Sequence, residues 1–417
     1  MRSLLMIALF GWVCIAASAG AAWAGGNCAM QQVARMTGAE PGETQPPLRI
    51  FDLRDGEADA VRISYNGMLA VLAEADVVFL GEQHDDPASH HMEWRILRDL
   101  TKMHSGCQAL SLEMFERDTQ RTLNAYLRGE LTEDEFLAAS RPWPNYPADY
   151  RPLIELAKAE GLPVVAANIP RPLASRVAKQ GLEPARASYS IEEYLWTAAS
   201  VHTPLDLYWE LFYATMGAMM GGHGRGKSMP PSTGTGMPPA EEMPALEFVN
   251  EDEFRAPFAV GTSTLALVPE DGPVQAVLPS GLEPGQVMVY QIYQAQCIKD
   301  DTMAESIVLQ RWIDPRRPIL HVNGTFHSDY HQGTVARLIA RRPQDRVVTV
   351  AMRPCAPLSS GDPSVEALDP EQFSMHPPVA DFLVFVPAPE STDEPASEDV
   401  ESKEMPAQDK GELPAGV

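Results

Sequence analysis

The stretch VVFLGEQHDDPASHHMEWRIL, residues 77–97, decides the fold. Its first four residues are apolar and β-branched or bulky, as in a strand buried on both faces. Gly81, Glu82, Gln83 and His84 follow directly. Asp86-Pro87 then predicts a helix start, with Asp as the N-cap and Pro at the first helical position. Met92, Ile96, Leu97, Leu100 and Met103 recur at helical spacing through His90–His104.

The same alternation runs outward from this stretch. Strand-like runs lie at Asp76–Leu80, Ala109–Met114, Pro163–Ala167, Pro318–Val322, Val347–Ala351 and Phe382–Val386. Helical patterns separate them. Thr302 and Glu305 match a capping box that predicts a helix start ahead of Ile307, Val308 and Trp312. Thr334–Ala340 reads as a further helix. Strands alternating with helices predict an α/β fold, a mostly parallel sheet flanked by helices. Helix-rich stretches at about 119–160 and 189–220 predict an inserted helical subdomain.

The 417 residues do not all belong to that fold. Residues 1–24 read as a signal peptide: Arg2, an apolar run from Leu4 to Ala17, and Ala22-Trp23-Ala24 as a cleavage site. This predicts export to the periplasm or secretion. Cys28 has no apolar residue three positions earlier, so no lipid anchor is expected, and no later run suits a membrane span. Residues 387–417, rich in Pro, Ala, Ser and acids, read as a disordered acidic tail, which leaves 25–386 as the α/β domain. With Cys14 in the signal, Cys28, Cys107, Cys297 and Cys355 predict one or two disulfides of unassigned pairing. The formal charge of −25 argues against a nucleic-acid partner.

Residues 217–245 hold 7 Gly, 5 Met and 5 Pro and read as a flexible loop. Gly221–Ser228 (GGHGRGKS) fits the phosphate-loop pattern, but Met-Pro-Pro follows where that loop needs a helix. The match is set aside. His223, near Met219 and Met220, remains a candidate ligand for metal or haem.

Three candidate strands end in residues that ligate or exchange protons. The first runs into Gly81-Glu82-Gln83-His84, the second into Glu113, and the third through Asn323 into Gly324-Thr325-Phe326-His327. In open parallel sheets ligands gather beyond the carboxyl ends of the strands. Glu82, His84, Glu113 and His327 are therefore expected to converge. Two imidazoles with two carboxylates suit Zn, Mn or Fe, and an open position on such a metal would activate water. His90 and His91 fall in the first helical turn, where the helix dipole disfavours imidazolium, and His331 lies just beyond the third strand. His321, inside its strand, reads as structural, and His104 and His202 as ordinary surface or helix-end residues. Arg171, after a fourth strand, is a candidate for holding an anion. Trp143, Tyr146 and Tyr150 lie among three prolines in Arg141–Arg151, and could line a pocket for a flat ligand. Tyrosine can ligate haem iron. There is no HExxH, GxSxG or CxxC motif.

With GEQHDDPASHH at 81–91, LEMF at 112–115, NIPR at 168–171, QAQCIKDDTMAES at 294–306 and NGTFHSDY at 323–330, the chain resembles the ChaN-like haem-binding uptake family of the Tiki superfamily. The resemblance covers roughly residues 60–355. It implies an exported α/β protein that binds haem in iron uptake, often as a dimer holding stacked haems, beside haem-transport components. On that reading Tyr146, Tyr150, His223 and Arg171 are the haem candidates. The superfamily also contains metal-dependent proteases and erythromycin-esterase-like hydrolases, whose paired GxxH turns and glutamate resemble Gly81–His84, Gly324–His327 and Glu113. That alternative makes Glu82 or Glu113 the general base. A third reading is a non-catalytic envelope scaffold whose acidic tail binds a partner.

Overall fold

Val77, Val78, Phe79 and Leu80 are all buried, and they divide between two layers as strand alternation requires. Val78 and Leu80 pack with Met68, Ile96, Leu97 and Ile154 on one face. Val77 and Phe79 pack with Ala304, Ile307, Val335 and Leu338 on the other. Burying each such side chain stabilises the fold by about 1.5–3 kcal/mol, so this strand is the centre of a three-layer sandwich. The computed structural model describes residues 48–55, 60–221, 282, 286–355, 358 and 378–388. The expected signal peptide, Cys28, His223 and nearly all of the acidic tail lie outside the described residues.

The elements run β1 (Arg49–Asp52), β2 (Val61–Ile63), α1 (Tyr65–Leu72), β3 (Val77–Glu82), α2 (Pro87–Met103) and β4 (Ala109–Glu116). The helical insertion follows as α3 (Gln120–Leu127), α4 (Glu133–Ser140) and α5 (Arg151–Glu160), then β5 (Val164–Asn168), α6 (Arg171–Gln180), α7 (Leu182–Ala187) and α8 (Ile191–Leu195). The chain continues with α9 (Leu207–Gly221), α10 (Val287–Ile313), β6 (Ile319–Gly324), α11 (Gly333–Arg341), β7 (Val347–Cys355) and β8 (Phe382–Pro387). The strand order is β2-β1-β8-β7-β3-β6-β4-β5. Strands β3 to β8 pair in parallel, and β1 joins β2 and β8 antiparallel. The mostly parallel α/β sheet flanked by helices, with its inserted helical segment, is as the sequence predicts.

Some elements differ from expectation for local reasons. β1 and β2 have four and three residues, too few for an alternating pattern to stand out. Thr302 does not start a helix. It sits inside the 27-residue α10, where its hydroxyl donates to the Ile298 carbonyl four residues back. Asp86 does cap α2, accepting from the Ala88 and Ser89 amides. Cys107 is disulfide-bonded, whereas Cys297 and Cys355 are buried free thiols. No helix among the described residues is long and apolar enough to cross a membrane.

Candidate functional site

β3 and β6 pair in register to their ends, so Gly81 lies opposite Asn323 and Glu82 opposite Gly324. This aligns the two GxxH turns side by side. The His84 ring rests directly on Gly324: a Cβ there would come within 2.6 Å of it. Gly324 is thus needed for close approach. Around this contact the carboxylates and imidazoles form two clusters rather than one four-residue shell.

The β3 cluster centres on Glu82, which is 1% exposed. Its Oε1 accepts from His84 Nδ1 at 2.7 Å and from the Tyr150 hydroxyl at 2.6 Å. Its Oε2 lies 3.2 Å from His90 Nδ1, which is also 3.2 Å from Glu93 Oε2. His90 and Glu93 share a face of α2 because they are three residues apart. Burial works to raise the Glu82 pKa, but the His84 hydrogen bond and the nearby His90 outweigh it and hold it below the ordinary value. Burial disfavours His90 protonation, yet the bonds to Glu82 and Glu93 push it up to about 11. The helix dipole was expected to disfavour that charge; two carboxylates in contact outweigh it. Glu93 moves the other way, raised well above its ordinary value by burial and then by the charge on Glu82. His84 is half-exposed; burial disfavours its protonation, but the Glu82 hydrogen bond together with the charges of Glu113 and Glu82 raises its pKa.

The β6 cluster centres on His327. Its Nδ1 is 2.7 Å from Asp300 Oδ1, and its Nε2 is 3.2 Å from Glu113 Oε1. Glu113 lies beyond the last β4–β6 pair, where β4 leaves register with β5, and its Oε2 accepts from the Gly324 amide at 2.8 Å. Asp300, from α10, also accepts from the Tyr208 and Thr334 hydroxyls. Burial disfavours His327 protonation, but Glu113 and Asp300 push its pKa up to about 9. Burial works against the Glu113 charge, and His327 more than reverses it, so its pKa falls far below the ordinary value. Gly333 supports the turn beneath: it has φ +56°, and a Cβ would meet the His327 carbonyl oxygen at 2.6 Å.

Other expected residues stand apart from these clusters. His91 is exposed, with its ring 5.8 Å from Trp94. His331 turns toward β7, 3.2 Å from the Thr349 hydroxyl and 3.4 Å from Asp381. His321 is buried against Ser111, and burial pushes its pKa down to about 3, as a structural role requires. Arg171 is exposed at the start of α6, beyond the edge strand β5, and makes no ion pair among the described residues. Sequence reasoning missed Glu93, Asp300 and Tyr208. Glu93 was findable, since His90-x-x-Glu93 on a helix puts both on one face.

Tyr146 and Tyr150 do not suit a haem ligand. Both are at most 1% exposed within the main core, and the Tyr150 hydroxyl is committed to Glu82. The proline-rich segment that carries them folds inward to cover the sheet instead of lining an open pocket. A groove of about 430 Å³ along β5, walled by Pro163, Leu195, Trp196, Leu309 and Ile313, contains no His, Tyr, Cys or Met for an axial bond. The aromatic packing of α9 against α10 does offer one. Trp209 meets Tyr213, Tyr290 and Tyr293 at ring separations of 5.2–5.7 Å. Tyr213 is 39% exposed, and its hydroxyl has no hydrogen bond among the described residues.

No curated protein matches this chain. Among solved structures it is similar to one described as cofacial heme binding to ChaN of Campylobacter jejuni. The identity is 13% and the TM-score 0.47, over 81% of this chain and 96% of that one. It is also similar to an erythromycin esterase mutant, EreC, in its open conformation, with 14% identity and a TM-score of 0.35 over 73% and 76% of the two chains. The family model described as haem-binding uptake, Tiki superfamily, ChaN matches residues 68–338. That match spans more than half of the sequence, and the chain belongs to the ChaN haem-binding uptake family of the Tiki superfamily.

Proposed function

We propose that this protein binds haem in the cell envelope and serves haem or iron uptake. Membership of the haem-binding uptake family carries this reading. The export signal read in residues 1–24 and the lack of a membrane-crossing helix among the described residues agree with it. We place the haem at the exposed Tyr213, beside the buried aromatic packing of α9 against α10, with Tyr213 as the axial ligand. A phenolate oxygen suits ferric iron. The iron and its redox chemistry come with the haem, while the protein supplies the surface, the ligand and a basic residue for a propionate. Arg171 is the exposed cation assigned to that last part. Titrating the full chain with hemin tests the proposal: a Soret shift at one haem per chain is expected, and Tyr213→Phe should abolish it. No shift above that of free hemin overturns it.

One observation favours a second reading, hydrolysis. Glu82 fixes Nδ1 of the half-exposed His84 as the donor, which leaves Nε2 for proton exchange. Loss of ester or peptide hydrolysis in His84→Ala, with hemin binding intact, would select this reading over haem transport.

A further inference from the structure

The β3 cluster has more acceptors than donors. His90 Nε2 lies 3.2 Å from the His84 carbonyl oxygen, which can only accept, so Nε2 carries the hydrogen. Nδ1 faces two carboxylate oxygens, Glu82 Oε2 and Glu93 Oε2, each 3.2 Å away, and one nitrogen cannot satisfy both. Glu82 Oε2 and Glu93 Oε1 have no hydrogen-bond partner, although both residues are at most 1% exposed. Native proteins rarely leave buried carboxylate oxygens unpaired. Something positive belongs between these three groups.

A metal ion fits the spacing. Bonds of about 2.0–2.2 Å to nitrogen and oxygen at tetrahedral angles hold neighbouring donors about 3.3–3.6 Å apart, close to the 3.2 Å between His90 Nδ1 and each carboxylate. Among the described residues, one donor atom each from Glu82, His90 and Glu93 lies within 4.8 Å of the others. The surroundings also resemble those of metal sites. The second nitrogen of the ligating imidazole is anchored on a carbonyl oxygen, with Asp149 3.6 Å away, and the second oxygen of Glu82 is held by Tyr150 and His84. We propose that Glu82, His90 and Glu93 form a buried site for one first-row divalent cation, with His90 Nδ1 and a carboxylate oxygen of each glutamate as ligands. Two carboxylates and one imidazole suit Zn²⁺, Mn²⁺ or Fe²⁺. The site is separate from the haem surface and shares only Glu82 with the four residues that the sequence brings to the strand ends.

Calorimetric titration of the chelator-stripped full chain with Zn²⁺ tests the site. One equivalent binds the wild type, and Glu93→Gln weakens binding by at least about tenfold with its melting temperature in EDTA preserved. His327→Gln, in the neighbouring cluster, leaves binding unchanged. Equal binding by wild type and Glu93→Gln overturns the site, and so does failure of the wild type to take up Zn²⁺. If Glu93→Gln does not fold, X-ray absorption of the Zn²⁺-loaded wild type decides. One imidazole with oxygen donors supports the assignment, and two or more imidazoles or any sulfur overturns it. Hemin binding is read separately by its Soret band, so either conclusion can fail without the other.

Discussion

Two histidine–carboxylate clusters lie side by side at the carboxyl ends of β3 and β6, and they differ in how fully they are satisfied. In the β6 cluster Asp300 accepts from His327, Tyr208 and Thr334, and Glu113 from His327 and the Gly324 amide. Each carboxylate there has a donor. In the β3 cluster two carboxylates compete for one imidazole nitrogen, and an oxygen of each stays unpaired. Two similar residue sets thus suit different tasks. A saturated cluster holds the fold rigid around His327, while an unsaturated one is built to receive something.

That contrast can be broken most forcefully at Asp300. Asp300→Ala removes the acceptor of three buried donors and leaves His327 with one carboxylate, so a stability loss of about 3–5 kcal/mol is expected by chemical denaturation. A loss under about 1 kcal/mol would show that the β6 cluster is not structural. Gly324→Ala comes next. A Cβ 2.6 Å from the His84 ring forces the two clusters apart at a cost of about 1–3 kcal/mol. The His84 imidazole resonances should shift in NMR spectra, and unchanged resonances would mean the contact is not tight.

The pH dependence separates the clusters above about pH 9, where the His327 contribution is spent and that of His90 is still being lost. His327 has a raised pKa, so its contribution to stability is complete below the ordinary value of 6.5 and is lost as pH rises through about 9. Glu113 has a depressed pKa, so its contribution is present above 4.5 and is lost as acid reaches its folded value. His90 has a raised pKa as well, so its contribution is lost as pH rises from 6.5 through about 11, and it adds to the fall between pH 7 and 9. The melting temperature in EDTA should fall across that range in the wild type and stay flatter in His327→Gln. Equal slopes would contradict the assignment. The smallest effect is expected for Glu93→Gln without metal. Burial and the Glu82 charge favour the neutral acid at Glu93, which glutamine mimics in size and shape, so the change should stay within about 1 kcal/mol. A large loss there would mean that Glu93 is ionised without a cation.

Much of this geometry was legible in the sequence, for identifiable reasons. The central strands announce themselves because both faces are buried, and the glycines and ligand-type residues after them fall where parallel sheets gather ligands. Asp86-Pro87 marked the start of α2 because capping is chemistry between near neighbours. Thr302 misled for the same reason. A Thr-x-x-Glu spacing also occurs inside a helix, where the threonine hydroxyl bonds backward, and only the length of α10 distinguishes the two.

The tyrosines show the other limit. Trp143, Tyr146 and Tyr150 among prolines suit an open pocket or a cover equally well, and the choice depends on what lies beneath. Here it is Glu82, whose buried oxygen needs the Tyr150 hydroxyl. The sequence by itself therefore determined the sheet, the helix starts set by local caps, and the placing of Glu82, His84, Glu113 and His327 at neighbouring strand ends. Tertiary structure alone decided that these four divide between two clusters, that Glu93 and Asp300 complete them, and that Tyr150 turns inward. Hydrogen bonds and charge pairs are satisfied across 68 residues, as for Tyr150 and Glu82, or 211, as for Glu113 and Gly324. Spacing along the chain carries no information about which partner a buried group will find there.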